Sequence, residues 1–265
     1  LGLHLRKIPI VLEFHEVVDT LEEAIFPIRI YSKIMGRAIR KLASKYVVHS
    51  AADQKLVAER YHIPAEQISI VPHGLYDQYP ILEKKRAREN LSISAEHVIL
   101  FFGLLRPYKG VKYLIHAFEM LPKELLKNTA LIIAGEPWED SEAVAAANNS
   151  PVKNQIHLYS EYISDDKIPD IFSAADVLTL PYTRASQSGV AHIGISYGMP
   201  IIASKVGGLV ESMSKYEGTF FVSPMDEEEL SKTLADVLLN QKNKMFEVPE
   251  DLRWESIANE WNKLL

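Results

Sequence analysis

The sequence predicts an α/β protein built on a doubly wound parallel sheet. Two observations carry this. The strand-like segments are short, continuous apolar runs rather than alternating ones, as suits strands covered on both faces. Between them lie segments with helical periodicity and capping residues, which supply the crossovers that parallel strands require.

Taken in order, Ile8–Phe14 (IPIVLEF) reads as a strand, and a long helix follows over Phe26–Ala43. Tyr46–His49 (YVVH) and Ile68–Val71 (ISIV) are two further short strands. Leu82–Asn90 (LEKKRAREN) is charged and helical and reads as a link between two regions. From His97 the alternation becomes regular. His97–Leu105 (HVILFFGLL) is a strand too short and β-rich for a helix, and Val111–Leu126 is a helical stretch. Ala130–Ala134 (ALIIA) ends in Gly135, Ser141–Ala147 is helical, and Gln155–Tyr159 (QIHLY) is a third strand of this region. Ser164, with Asp165 and Asp166, supplies an N-cap and an acidic first turn for a helix through Ala174. Asp176–Leu180, Pro200–Ser204 and Thr219–Ser223 are the remaining strands. Beyond Pro249, Leu252–Leu265 is an amphipathic helix with Trp254, Ile257, Trp261 and Leu264 on one face. The expected organisation is a partial Rossmann-like region over 1–75, a larger domain over 76–250, and a C-terminal helix over 251–265 that packs back on the first region.

Composition narrows the function classes. The 265 residues carry 29 Lys plus Arg against 35 Asp plus Glu, a net charge of −6, with 47% apolar and 24% charged residues. That is globular composition, not disorder. An acidic chain is poorly suited to wrapping nucleic acid, which selects a basic surface, so no nucleic-acid partner is expected. There is no cysteine, which removes disulfides, thiol catalysis and thiolate metal sites and suits a reducing compartment. Apolar runs such as Val98–Leu105 fall far short of the roughly 20 residues that span a bilayer.

In such sheets ligands sit beyond the carboxyl ends of the strands, and the polar segments of interest fall there. After the run that starts at His97 comes Arg106-Pro107-Tyr108-Lys109-Gly110, where two cations three residues apart can face one phosphate-bearing ligand. The alternative is a solvated basic turn. After Asp176–Leu180 comes Pro181 through Gly189, rich in hydroxyls and opening a helix, whose free N–H groups and dipole attract anions. Here the alternative is simple capping by Ser186 or Ser188. After Pro200–Ser204 comes Val206-Gly207-Gly208-Leu209-Val210-Glu211, where paired glycines permit close backbone approach or merely a tight turn. Neither GxxxxGK[ST] nor GxGxxG occurs, which disfavours P-loop and NAD chemistry.

The segments FFGLLRPYKGVKYLIHAF (101–118), SAADVLTLPY (173–182), SQSGV (186–190) and YGMPIIASKVGGLVE (197–211) resemble the retaining GT-B glycosyltransferases of family 4 (glycosyl transferases group 1), in the subgroup that carries SQSG. VHSAADQKLVAERY (48–61) and VPHG (71–74) resemble that family's domain junction. The resemblance implies a nucleotide-diphospho-sugar donor on the C-terminal domain, an acceptor side on the N-terminal one, and a role in polysaccharide or glycolipid biosynthesis. It assigns Arg106 and Lys109 to the diphosphate leaving group, where fixed cations stabilise the developing charge. No D-x-D occurs, in keeping with a metal-independent mechanism and no cofactor. In the family the arginine commonly follows the strand's glycine, which is Leu104 here; Arg106 takes the role two residues on, as in the SQSG subgroup. The family's two glutamates fall at Ala185 and Ile193, and neither is acidic, so sugar and phosphate contacts pass to Ser186, Gln187, Ser188 and Gly189. Gly103, Gly207, Gly208 and Glu211 complete the implied donor site, and the base is expected near Glu161-Tyr162-Ile163, with Tyr162 beside it. His15 matches the family's histidine at a strand end facing the donor sugar, and Glu16 falls on the acceptor side. His73 and Gly74 stand at the junction.

Between Ile28 and Lys45 lie Arg29, Lys33, Arg37, Arg40, Lys41 and Lys45 without an acid. This helix fits either peripheral contact with an anionic membrane through residues 28–45 or an ordinary sheet-packing role with a solvated face. The expected location is cytoplasmic, peripheral on the inner face of the membrane. The expected activity is transfer of a sugar, with retention, to a saccharide or lipid-linked hydroxyl; a nucleotide-sugar binding module without turnover and a sugar-nucleotide epimerase are the alternatives. By this resemblance the chain is about two-thirds of an enzyme, with the first N-terminal strands and a Gly-rich loop expected before Leu1, so that it binds donor but transfers poorly alone.

Overall fold

The computed structural model describes residues 6, 8–15, 26–138, 140–185, 187–241 and 244–264, with the side chains of Phe26, Ile28, Arg29 and Ser32 excepted. The chain divides into two compact units, one of Leu1–Gly74 with Glu250–Leu265, the other of Leu75–Pro249.

In the first unit, β1 (Val11–Glu13), α1 (Phe26–Leu42), β2 (Lys45–Val48), α2 (Ala51–Tyr61) and β3 (Ile68–Ile70) follow in order. The strands form a parallel sheet, β1-β2-β3, with Glu13 opposite Val47 and Val48 opposite Ile70. Because side chains alternate along a strand, β2 feeds two cores. Tyr46 and Val48 pack with Val57, Ile63 and Ile68 on one face. Val47 packs with Val71, Ile257 and Leu264 on the other, so the C-terminal helix Trp254–Asn262 covers that face. Trp254 itself is half exposed and lays its ring over Gly74. Ser50 caps α2, its hydroxyl accepting from the Asp53 amide. Along α1, Ile30, Tyr31, Ile34, Met35 and Ile39 are between 42% and 68% exposed, so its apolar stripe is not in the core.

The second unit contains α3 (Lys84–Asn90), β4 (His97–Phe102), α4 (Val111–Glu119), α5 (Lys123–Lys127), β5 (Thr129–Ala134), α6 (Ser141–Asn149), β6 (Ile156–Tyr159), α7 (Ile168–Ala174), β7 (Val177–Leu180), α8 (Gly189–Ser196), β8 (Ile201–Ser204), α9 (Gly207–Met213), β9 (Thr219–Val222) and α10 (Glu227–Asn240). Its six parallel strands run in the order β6-β5-β4-β7-β8-β9. The chain thus winds outward one way from β4 and then the other way from β7, and the crevice at that reversal is where such sheets bind ligands. Val98–Phe101, Leu131–Ala134 and Leu178 are without solvent exposure. At about 1.5–3 kcal/mol for each large apolar side chain buried, this central ladder is the principal source of the unit's stability.

Three elements differ from the sequence reading. The helical stretch expected over Val111–Leu126 is two helices, because Pro122 has no N–H to continue α4 and instead sits at the N-cap of α5. The helix expected to start on Ser164 opens as a 3₁₀ turn, Asp165–Lys167, before α7, and the Ser164 hydroxyl bonds the Asp166 carboxyl instead. The charged segment around α3 is not a free link. It packs on α7 and is clamped by buried Asp176, which accepts from Lys84 (2.7 Å), Arg88 (2.6 Å) and the Val98 amide (2.7 Å).

Candidate functional site

The candidate site lies at the carboxyl ends of β4 and β7, the two strands that flank the reversal. Three loops are stapled together there. The Thr183 amide donates to the Tyr108 carbonyl (2.8 Å), joining the loop after β4 to the loop after β7. Gly110, at φ +67°, lies so close to Pro181 that a Cβ would come 2.0 Å from its carbonyl oxygen. Gly207, at φ +45°, approaches Ala185 as closely, and the Gly208 amide donates to the Ala185 carbonyl (3.2 Å). Both glycines combine a left-handed backbone with a contact that any side chain would destroy.

These staples deliver the cations. Lys109 Nζ lies over Gly103, 3.0 Å from where a Cβ would be, and 5.5 Å from the centre of the Tyr182 ring. Burial, and then the neighbouring Arg106 guanidinium, hold the Lys109 pKa down to about 8. Arg106 Nε is buried without a hydrogen-bond partner among the described residues, its guanidinium 5.7 Å from the Trp138 ring. Gln187 Nε2 is likewise buried and unpartnered among the described residues. Buried donors are almost always satisfied, and two like charges desolvated side by side are costly. A charge-delocalised anion with several acceptor oxygens removes both costs at once.

Of the residues singled out by sequence, Gly103, Arg106, Lys109, Gln187, Ser188, Gly207 and Gly208 lie on these loops. Ser188 performs the capping role: its hydroxyl accepts from the Ala191 amide (3.4 Å) and contacts the Tyr182 hydroxyl (3.2 Å). Gly189 opens α8 with its Cα against Tyr76. Glu211 is exposed on α9, one turn beyond Gly207. Tyr162 is 73% exposed beyond β6, the edge strand two positions from β4. Ile193 is a buried core residue of α8. His15 belongs to the first unit, at the end of β1, with its Nε2 3.2 Å from Glu13. Glu16 and Ser186 lie outside the described residues. Sequence reasoning missed Tyr182 and Trp138, which flank the two cations; their only signal was an aromatic within four residues of a strand's carboxyl end.

The family model for glycosyl transferases group 1 matches residues 83–255, well over half of the chain. Among curated relatives, the chain is 25% identical over 224 residues to D-inositol 3-phosphate glycosyltransferase of Corynebacterium efficiens, covering 78% of this chain and 53% of that protein. It is 24% identical over 194 residues to the lipopolysaccharide glucosyltransferase WaaG of Escherichia coli, covering 71% and 51%. The chain therefore spans about half the length of the curated relatives it matches. Among solved structures, sucrose-phosphate synthase from Thermosynechococcus elongatus superposes with a TM-score of 0.72 at 20% identity, over 99% of this chain and 69% of that one. These neighbours share the GT-B fold, an α/β architecture of parallel sheets with helices. The reversal in the sheet, the stapled cationic loop and the family match all concern the same segment, and the chain belongs to the glycosyl transferases group 1 family.

Proposed function

We propose that the second unit binds a nucleotide-diphospho-sugar and that the whole protein is a retaining glycosyltransferase acting on a saccharide or lipid-linked hydroxyl. The observation that carries this is the partly buried Arg106–Lys109 pair, which has no acidic partner among the described residues. Cleaving a sugar–diphosphate bond develops negative charge on the leaving group, and fixed cations in a desolvated crevice stabilise it without a metal at the diphosphate. Gln187 and the Gly207 amide supply neutral donors around the same anion, Gly208 permits close backbone approach, and Tyr162 offers a face for the base. His15 acts from the first unit through its backbone or ring on the transferring sugar, with Glu16 on the acceptor side. A structural neighbour from Anabaena was solved in complex with UDP and glucose, so uridine diphosphate is the first probe.

The test is calorimetry with UDP-, GDP- and ADP-sugars on this chain, followed by transfer assays on the full-length protein. Arg106→Ala and Lys109→Ala should each lower turnover about 10²–10³-fold. Unchanged turnover in both would remove the assigned roles. A second reading, binding without turnover, is favoured by one observation: the positions where the family carries two acids are Ala185 and buried Ile193. Tight donor binding with no donor consumed by the full-length protein supports that reading instead.

The same proposal places α1 on an anionic membrane surface at the cytoplasmic face. Its support is the exposed Ile30, Ile34 and Ile39 beside exposed Lys33, Arg37 and Lys41, each cation contributing about 1 kcal/mol near such a surface. No helix among the described residues is long and apolar enough to cross a membrane. Cosedimentation with phosphatidylglycerol vesicles, lost on replacing the three cations by Ser, tests this; salt-independent binding overturns it.

A further inference from the structure

In the first unit, each of the three strands runs out into a histidine at its carboxyl end: Glu13-Phe14-His15 after β1, Val48-His49 after β2, and Pro72-His73 after β3. The parallel register sets Glu13 opposite Val47 and, continued by two residues, His15 beside His49. Glu13 and His15 are two apart on extended chain and so share a face.

The side chains converge accordingly. Glu13 Oε2 is 3.2 Å from His15 Nε2, and Glu13 Oε1 is 3.3 Å from His49 Nε2. The three groups each present one ligand atom within 4.8 Å of the others. The His15 and His49 ring centres are 5.0 Å apart, and the His73 ring lies 5.9 Å from that of His49, tilted by 56°.

His49 is the informative member. Its side chain is 95% buried, and its Nδ1 donates to the Val71 carbonyl (2.8 Å). That bond places the proton of the neutral ring on Nδ1 and leaves a lone pair on Nε2. The Nε2 atom is buried without a hydrogen bond among the described residues, and it faces the carboxylate. A lone pair opposed to a carboxylate is repulsive, and burial worsens it. A cation between the two converts the repulsion into two bonds. A backbone carbonyl that fixes the far nitrogen is also how proteins orient a metal-binding histidine.

We propose that Glu13, His15 and His49 form a divalent-cation site, of the two-imidazole, one-carboxylate kind that suits Zn²⁺. A tetrahedral ion with bonds of about 2.0–2.1 Å holds its ligand atoms about 3.3 Å apart; Glu13 reaches that spacing to His15 from Oε2 and to His49 from Oε1, and one ligand atom from each of the three residues lies within 4.8 Å of the others. Three protein ligands leave one position for water or an oxygen ligand, and exposed His15 puts that position on the solvent side. With a cation bound, the His15 ring is a ligand, and its backbone remains available to substrate. The site uses none of the residues of the Arg106–Lys109 loop, so its failure leaves the donor-binding proposal standing.

The experiment titrates the full 265-residue chain with Co²⁺, read by visible absorption, and with Zn²⁺ by calorimetry. The expected result is one ion per chain, with tetrahedral-type cobalt bands. Glu13→Gln, His15→Ala and His49→Gln should each weaken binding at least tenfold. His15 is exposed, so His15→Ala keeps the test valid if the buried His49 variant fails to fold. His116→Gln, at a surface histidine paired with Glu227 in the other unit, should leave binding unchanged. Absence of one-to-one binding overturns the proposal, as does binding indifferent to Glu13→Gln and His15→Ala; a proton shared by Glu13 and His49 is then what reconciles the pair.

Discussion

Replacing Lys109 by Met should make the unliganded protein more stable while weakening its hold on a diphosphate. Burial first, and Arg106 second, lower the Lys109 pKa from 10.5 to about 8. The unfolded chain therefore binds more protons than the folded one between pH 8 and 10.5, and stability rises with pH across that window. Below it the folded state bears the full cost of the charged ammonium. At 1.36 kcal/mol per pH unit, the drop corresponds to about 3 kcal/mol at pH 7. Methionine keeps the apolar stem and loses the charge, along with a contact to the Tyr182 ring worth about 1 kcal/mol. The net expectation is a gain of about 1–2 kcal/mol, or a rise in Tm of about 2–8 °C for a unit of this size. Thermal unfolding by circular dichroism at pH 7 and pH 10 is the assay. The advantage of Lys109→Met should shrink at pH 10, where the wild-type ammonium has already lost its proton, and calorimetry at pH 7 should show weaker UDP binding. A variant less stable than wild type at pH 7, or an advantage that persists undiminished at pH 10, refutes the reasoning.

Gln187→Ala should weaken UDP binding by about tenfold in calorimetry, with little change in Tm, because its buried Nε2 has no bond to lose among the described residues. Gly110→Ala should cost at least about 2 kcal/mol in denaturant unfolding, since a Cβ at φ +67° would meet the Pro181 carbonyl oxygen. Asp176→Ala should cost about 3 kcal/mol or more by the same measurement, because Arg88, Lys84 and the Val98 amide all lose their common acceptor.

The strands of the second unit were legible because they are buried on both faces: HVILFF and ALIIA leave little alternative to a parallel sheet. The positions of Arg106, Lys109, Gln187, Gly207 and Gly208 were legible for the same reason, since a parallel sheet sends every polar loop after a strand to one edge. Their electrostatics were not. That Lys109 lies over Gly103 and beside Tyr182 depends on the Tyr108–Thr183 and Gly110–Pro181 staples, which join residues more than 70 positions apart. Capping was legible as a type and wrong in detail, because Ser164 bonds a side chain and a 3₁₀ turn precedes α7. The Glu13–His49 contact was the least accessible, since it exists only through the register of β1 on β2. Yet its signal stood in the sequence as a histidine ending each of three consecutive strands.

The two sheets thus put opposite chemistry on the same kind of edge. In the second unit, buried donors and cations lack acceptors; in the first, a buried lone pair faces a carboxylate and lacks a cation. Each arrangement is destabilising by itself, because desolvated polar groups without partners cost about 1–3 kcal/mol apiece. Neither helps the fold, and both stand at strand ends instead of in the apolar ladders that hold the units together. A cost that serves no packing and recurs at strand ends is what the two proposals assign to a ligand, an anion in one unit and a cation in the other. The measurement that separates this from accident is the same for both: ligand binding should raise Tm, and Gln187→Ala in one unit or His15→Ala in the other should cut that rise.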